Sequence, residues 1–450
     1  MPASVMWFRR DLRLGDNPAL LEACSDGAVL PLFVLDPALW GPAGPSRRAY
    51  LGASLRALDR QLHQRRTRLT VVRGDPVRLV VLAAKEVGAE RVHVAADAGP
   101  YGRRRDEEVE KVLADAGIEL VRTGSPYAVT PGRVTNGSGN PYQVFAPFSK
   151  AWSDHGWRGP VDPPSDASWL ALDRDTTDIP DPDLPSGLSL PEAGEAAALR
   201  RWEEFLDRVD GYDGDRDKPG VDGTSHMSVH LKWGEIHPRT LLASLSPKRS
   251  AGAATYRKEL AWREFYADVL FHQPRTAREY LRSELAAMSY DRPGAQLEAW
   301  QEGRTGFPVV DAGMRQLRAT GWMHNRARMI VASFLVKDLH VEWQHGARHF
   351  MHWLVDGDLA SNQHGWQWTA GTGTDAAPFF RVFNPTSQGR KFDPDGHYVR
   401  RWVEELRDPD RVPDPHDPDP DTRDLVGYPA PMVDHKEERQ EALDRWQAVR

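Results

Sequence analysis

The 450-residue chain is poor in cysteine, in long apolar runs and in the glycine-rich loops that hold phosphates. Cys24 is the single cysteine, which excludes a disulfide framework and any cysteine-held zinc or iron–sulfur site, and suits a reducing cytoplasm. No apolar stretch approaches the ~20 residues that a membrane helix needs. The opening residues, MPASVMWFRRDLRL, place Arg9, Arg10 and Asp11 where a signal peptide would have its apolar core, so no leader is expected. A G-x-G-x-x-G after the first strand pattern is missing, as are the P-loop, nucleophile-elbow and kinase signatures. GSGN (137–140) and GTGTD (371–375) read as turns. What is present is a globular composition, 40% apolar and 27% charged, in a chain longer than one core usually serves. Two or three domains are expected.

Positive charge is also short overall: the formal net charge is −7, which at first sight argues against a nucleic-acid partner. The deficit is local. Residues 162–195 hold nine acids against Arg174, and residues 404–424 hold nine against Arg407, Arg411 and Arg423. Both stretches are proline-rich (IPDPDLP, VPDPHDPDPD) and read as extended, solvated loops. The rest of the chain carries a net +7, so whole-chain charge says nothing about a polyanion. A basic stripe around Arg326, with the acidic segments turned away from it, is the expectation.

Short runs rich in Val, Leu and Phe fall at 4–8, 28–35, 68–73, 91–95 and 118–122, and amphipathic helix patterns lie between them, with Gly88 and Gly117 placed as C-caps. Strand–helix alternation of this kind predicts an α/β N-terminal domain with a parallel, Rossmann-like sheet. Residues 126–195 read as a long surface connection. From 196 onward helix patterns dominate, at 196–209, 254–271, 310–321, 326–341 and 343–355, giving a larger all-α domain. The expected boundaries are 1–130, a linker 131–195, and 196–450.

Eight of the sixteen tryptophans fall between Trp262 and Trp402. Large aromatics in helices are mostly core, but VDGDLASNQHGWQWTAGTGTDAAP (355–378) sets Asp356, Asp358, Asn362, Gln363 and His364 among them. Polar groups converging with aromatics suit a flat heteroaromatic ligand. ELAWREFYADVL (259–270) and TGWMHNRARMIVASFLVKDL (320–339) place Arg and Asn beside aromatics, as phosphate contact plus base stacking requires, though both could be core helices. GTSHMS (223–228) is either a phosphate-holding helix start or a plain cap. His345, His349 and His352 share a helix face; a metal-dependent hydrolase built there lacks the carboxylate that H-E-x-x-H provides, and no metal site is assigned.

WFRRDLRLGDNPAL (7–20), the run Asp217 to Ser228, ELAWREFY, TGFPVVDAGMRQLRATGWMHNRARMIVASFLVKDL (305–339), VDGDLASNQHGWQW and FNPTSQGRKFDPDG (383–396) together resemble the photolyase/cryptochrome family, most nearly the bacterial class I cyclobutane pyrimidine dimer photolyases. The resemblance implies an α/β antenna domain plus an all-α FAD-binding domain. It also implies light-driven splitting of pyrimidine dimers by electron transfer from reduced FAD to a flipped-out lesion. Tyr212, Thr224, Ser225, His226, Met227 and Ser228 resemble the phosphate-side FAD contacts, with Arg263 and Arg328 nearby. Asp356, Gly357 and Asp358 resemble the flavin and ribose contacts, and Asn362 the residue facing flavin N5. Asparagine there would favour the fully reduced anionic flavin over a long-lived neutral radical. Glu259, Trp262, Arg263, Tyr266, Asn325, Arg326, Met329 and Trp368 resemble the lesion pocket, and Gln388 a DNA-backbone contact.

Two departures stand out. The photoreduction chain maps onto Trp366, Trp343 and Tyr290, a tyrosine at the surface end that must lose its phenolic proton on oxidation; surface packing is the alternative role for Tyr290. Gln363–His364 replaces the commoner Asn–Gly. PYGRRRD (100–106) and PSRRAY (45–50) resemble family members with an 8-hydroxy-5-deazaflavin antenna; methenyltetrahydrofolate is the alternative. UV-damaged DNA is the implied partner, with no membrane and no obligate protein partner, for a cytoplasmic monomer. The competing reading is a cryptochrome-like photoreceptor that binds FAD without repair. Asn362, the dimer-pocket residues and the lack of a long C-terminal extension after the helix ending at Arg450 count against it.

Overall fold

A computed structural model describes residues 2–173, 176–374 and 380–449. Arg174 and Asp175 of the first acidic segment, and the end of the 355–378 stretch from Asp375 on, lie outside the described residues. The chain forms two compact units interleaved in sequence: one holds 1–185, 190–210 and 225–274, the other 186–189, 211–224 and 275–450.

The first unit is built on five strands, β1 (Ala3–Phe8), β2 (Ala28–Leu35), β3 (Thr70–Arg73), β4 (Ala89–Val94) and β5 (Glu119–Arg122). They pair in the order β3-β2-β1-β4-β5, all parallel, with Val5 opposite Leu30 on one side and Val92 on the other. Every residue of β2 is buried, the pattern of a parallel strand covered on both faces. Both helices after β3 and β4 end as their glycines predict. In the second, Gly117 (φ 73°) donates to Ala114 and Ile118 to Leu113, a Schellman ending in which the backbone needs a left-handed residue.

Asparagine or aspartate followed by proline starts five helices, at Asn17, Asp36, Asp75, Asn384 and Asp419, and each side chain accepts an N–H of the first turn. That habit corrects the reading of 404–424 as an extended loop. Its Asp–Pro pairs include a helix start, Asp419 before Pro420–Val426, and Val412 and Leu406 are fully buried. Asp414 and Asp417 meet Arg390 at 2.8 and 3.4 Å, and Glu405 holds Arg315, so these acids face basic side chains of their own unit. GSGN (137–140) is a turn, closed by Asn136 N–H to Asn140 O at 2.9 Å.

The 126–195 connection also differs from its reading. It contains a helix, Phe145–His155, whose Phe148 and Trp152 are buried against the long helix Ala251–His272. Two anchors in a short helix flanked by polar loops give little periodicity to read. Further on, Ser168 and Leu170 bond to both sides of Val29 in β2, where β3 does not reach.

The second unit holds helices and no strand among its described residues. Its core gathers Trp300, Phe334, Trp343, Phe350, Trp366 and Tyr398 from the helices Ala295–Glu302, Asn325–Lys337, Trp343–Trp353, Leu359–Ala370 and His397–Trp402. The pattern expected to run to 341 stops at Lys337. His340 there takes a left-handed backbone (φ 51°), which breaks the helical hydrogen bonding. No described helix is long and apolar enough to cross a membrane.

Candidate active site

In the first unit, the helix Ala251–His272 carries Glu259, Trp262, Arg263 and Tyr266 at i, i+3, i+4 and i+7, one stripe along its surface. All four are half-buried, whereas Leu260, Ala261, Glu264 and Phe265 between them are buried. Glu264 anchors the helix: its carboxylate accepts from the N–H of Ala128 and Val129 and from Trp152 Nε1. Burial nevertheless raises its pKa above the usual carboxylate range.

Phe145 lies face to face with Trp262, ring centroids 3.6 Å apart and 7° from parallel. It also meets the buried Phe265 edge-on at 5.9 Å. No periodic pattern signals this partner; only the loop's return to the long helix creates it. Arg263 spends its guanidinium on the carbonyls of Pro126 and Leu231 and on the face of Tyr127. Ser225 is buried, bonded to Tyr256 Oη at 2.8 Å, and its Oγ accepts from Met227 N–H. Through that bond Ser225 caps the helix Met227–Trp233 from one position earlier than the usual cap residue, His226, which is left-handed at φ 54°.

In the second unit, Asn325, Arg326, Arg328 and Met329 occupy the first turns of the helix Asn325–Lys337. Arg326 pairs with Asp217 at 2.8 Å and lies over the ring of Phe392 at 4.1 Å, with only 16% of its side chain exposed. The centre of the expected basic stripe is thus partly neutralised by an acid of its own unit. Arg328 holds Asp356 Oδ2 at 2.8 Å; Asp356 Oδ1 is buried with no hydrogen-bond partner. Asp358 caps the helix Leu359–Ala370 through Ser361 N–H at 3.0 Å, with Gly357 just before it. Tyr212 is buried in the short helix Tyr212–Asp215 with Arg216 over its ring, and Thr224 is half-buried. Trp368 and Gln388 are half-buried on the helices Leu359–Ala370 and Pro385–Phe392.

The helix Leu359–Ala370 is stitched to residues 276–281. Gln363 Nε2 donates to Ala277 O at 2.6 Å, Gln367 Nε2 to the carbonyls of Thr276 and Glu279, and His364 meets Thr276 Oγ1 at 3.3 Å. Asn362 Nδ2 donates to Ala347 O at 3.1 Å and to Gln363 Oε1 at 2.8 Å. Burial pushes His364 down to about 4, so it is neutral near pH 7.

Trp366 lies directly on Gly346: a β-carbon there would stand 2.0 Å from its Cη2. Trp343, one turn earlier on that helix, is fully buried and meets Tyr280 edge-on at 6.1 Å. Tyr280 donates to Glu342 at 2.8 Å, and Tyr290 lies beside it, its phenol pushed up to about 12 by burial. Trp366, Trp343 and Tyr280 share one hydrophobic core and Tyr290 packs against it, Tyr280 being an addition the sequence did not signal. Among the described residues no three His, Cys, Asp or Glu side chains converge as a metal site. His349 packs against the Trp300 ring at 5.5 Å.

Residues 4–167 match the family described as DNA photolyase, and residues 256–448 the FAD binding domain of DNA photolyase. The deoxyribodipyrimidine photo-lyase of a Synechococcus strain is 40% identical, over 96% of this chain and 93% of its own. That of Streptomyces griseus is 41% identical over 98% of each. The crystal structure of a class III photolyase from Agrobacterium tumefaciens superposes with a TM-score of 0.93 at 36% identity, over 100% of this chain and 98% of its own.

Proposed function

The chain belongs to the DNA photolyase family, and from that membership we propose that it repairs cyclobutane pyrimidine dimers in DNA, driven by light, with FAD as cofactor. The half-buried stripe of Glu259, Trp262, Arg263 and Tyr266, with buried Leu260, Ala261, Glu264 and Phe265 between them, is the observation that carries the reading. It pairs a flat apolar wall with a carboxylate, the chemistry a flipped-out pyrimidine pair needs.

The donor set fits a flavin. Asp356 Oδ1, a buried acceptor without a partner, suits an N–H of the ring or a ribose hydroxyl, and Arg328 holds the neighbouring oxygen. Gly357 and Asp358 flank that acceptor, while Tyr212, Thr224, Ser225, His226, Met227 and Ser228 are assigned to the phosphate side. When bound, reduced FAD supplies the light-excited electron that opens the cyclobutane ring and recovers it afterwards, with no net redox change.

Trp262 would offer its exposed face to the lesion, and Glu259 would hydrogen-bond a base edge and stabilise charge developing on the dimer. Trp368 and Met329 are assigned as apolar lesion contacts, and Asn325 and Arg326 as polar ones. Gln388 is assigned to the DNA backbone. Trp366, Trp343 and Tyr290 are assigned to electron supply from solvent. We assign the antenna role to 1–130, with 8-hydroxy-5-deazaflavin as its chromophore or methenyltetrahydrofolate in its place, the linking role to 131–195, and the FAD role to 196–450. We place the protein in the cytoplasm as a monomer.

FAD-loaded, fully reduced protein under blue light should restore thymine-dimer oligonucleotides, and Trp262→Ala should weaken dimer binding by roughly tenfold, as loss of one stacking wall implies. Absence of repair by fully reduced protein would overturn the reading in favour of a flavin photoreceptor.

A further inference from the structure

Gln363 stands where the resemblance leads one to expect asparagine, and its hydrogen bonds fix what its neighbour can offer. Two backbone carbonyls, whose identity as acceptors is not open to choice, orient the pair. Ala277 O at 2.6 Å takes the Gln363 amide nitrogen, so Gln363 Oε1 is the end turned to Asn362. Ala347 O at 3.1 Å takes the Asn362 amide nitrogen, and Gln363 Oε1 takes the same nitrogen's second hydrogen at 2.8 Å. Both N–H bonds of Asn362 are thereby used, and Oδ1 is the group it can present elsewhere. Both side chains are over nine-tenths buried (9% and 8% exposed), so water competes little for these bonds.

We propose that Gln363 is a positioning residue that locks Asn362 as a hydrogen-bond acceptor toward the flavin, and so biases the bound cofactor toward its reduced form. The proposal rests on the assignment of Asn362 to flavin N5. The chemistry follows from protonation: N5 of the reduced ring carries a hydrogen and donates, whereas N5 of the oxidised ring has only a lone pair and needs a donor. An Asn362 whose N–H groups are both engaged matches the first and opposes the second. Flipping it to donate would break two hydrogen bonds and set its oxygen against Ala347 O. Asparagine at 363, one methylene shorter, would reach less readily from the Ala277 carbonyl to the neighbouring amide.

The test is spectroelectrochemical titration of FAD-loaded protein in the dark. Gln363→Leu keeps the volume and removes both bonds, so the reduced-to-oxidised ratio at a fixed potential should fall three- to tenfold, a drop of about 15–30 mV in the two-electron midpoint. In an Asn362→Leu background the same change should have no effect on the midpoint, because there is no amide left to orient. Gln363→Asn should fall between wild type and Gln363→Leu. If Asn362→Leu itself leaves the midpoint unmoved, the assignment of Asn362 to N5 fails and takes the proposal with it. If Asn362→Leu moves it but Gln363→Leu does not, or acts equally in both backgrounds, the proposal alone is wrong.

Discussion

Replacing Gly346 with alanine sets helix propensity against packing, and the structure says which wins. In mid-helix, Gly→Ala should stabilise by about 1 kcal/mol. At Gly346 the new methyl would stand 2.0, 2.5 and 2.6 Å from Cη2, Cζ3 and Cζ2 of Trp366. Ordinary carbon contacts need about 3.5 Å or more, so the indole must retreat by roughly 1.5 Å. It has little room: Phe350 is edge-on at 4.9 Å and Trp300 at 6.1 Å. Forcing a rigid ring into such a core costs about 3 kcal/mol, the upper part of the overpacking range. The net is a loss of about 2 kcal/mol, or about 4–8 °C in Tm for a unit of this size. The three clashing atoms are those that phenylalanine lacks, so in a Trp366→Phe background the same Gly346→Ala change should be neutral or stabilise by up to about 1 kcal/mol. Thermal unfolding of the four proteins decides the matter. A higher Tm for Gly346→Ala alone, or an equal fall in both backgrounds, would refute the packing argument.

His364 is held down to about 4 by burial, against about 6.5 in the unfolded chain, so only the unfolded state takes up a proton between those values. Its contribution is fully present above pH 6.5 and is lost as pH falls toward 4, by on the order of 3 kcal/mol; Tm measured from pH 7 to 4.5 should fall less in His364→Gln, and parallel curves would count against it. Tyr290, with its phenol pushed up to about 12, is protonated at working pH, so photoreduction should slow in D2O, and Tyr290→Trp should remove that isotope effect. Asp217→Asn releases Arg326 from its 2.8 Å ion pair and should tighten binding to undamaged DNA several-fold. The plot of log K against log salt should steepen by about one unit, and an unchanged slope would mean Arg326 does not reach phosphate.

The parallel sheet was legible because each strand is a short apolar run bounded by helix signals, and β1 to β5 fall within two residues of the expected runs. Helices with strong faces were equally plain. What escaped was whatever depends on residues distant in sequence. The stack of Phe145 on Trp262 joins positions 117 apart and leaves no periodic trace. The aspartate–proline pairs of 404–424 were weighed for charge and flexibility when their stronger meaning was helix capping. At the candidate site the motifs named the residues, but motif matching is blind to which atom of an amide faces outward. That came only from the carbonyls of Ala277 and Ala347.

The anchoring of the 145–155 helix on the 251–272 helix has a consequence for synthesis on the ribosome. Phe148 and Trp152 are translated more than a hundred residues before the helix that covers them is complete. At about 5–20 residues per second, those aromatics wait on the order of ten seconds with the N–H groups of Ala128 and Val129 lacking their Glu264 acceptor. The sheet can form in that interval, yet the unit it belongs to cannot close. Chains stalled near residue 200 should therefore be cut by protease around 126–155, and chains stalled past the exit of residue 272 should be protected there. Equal cleavage of both would show that the segment finds shelter earlier.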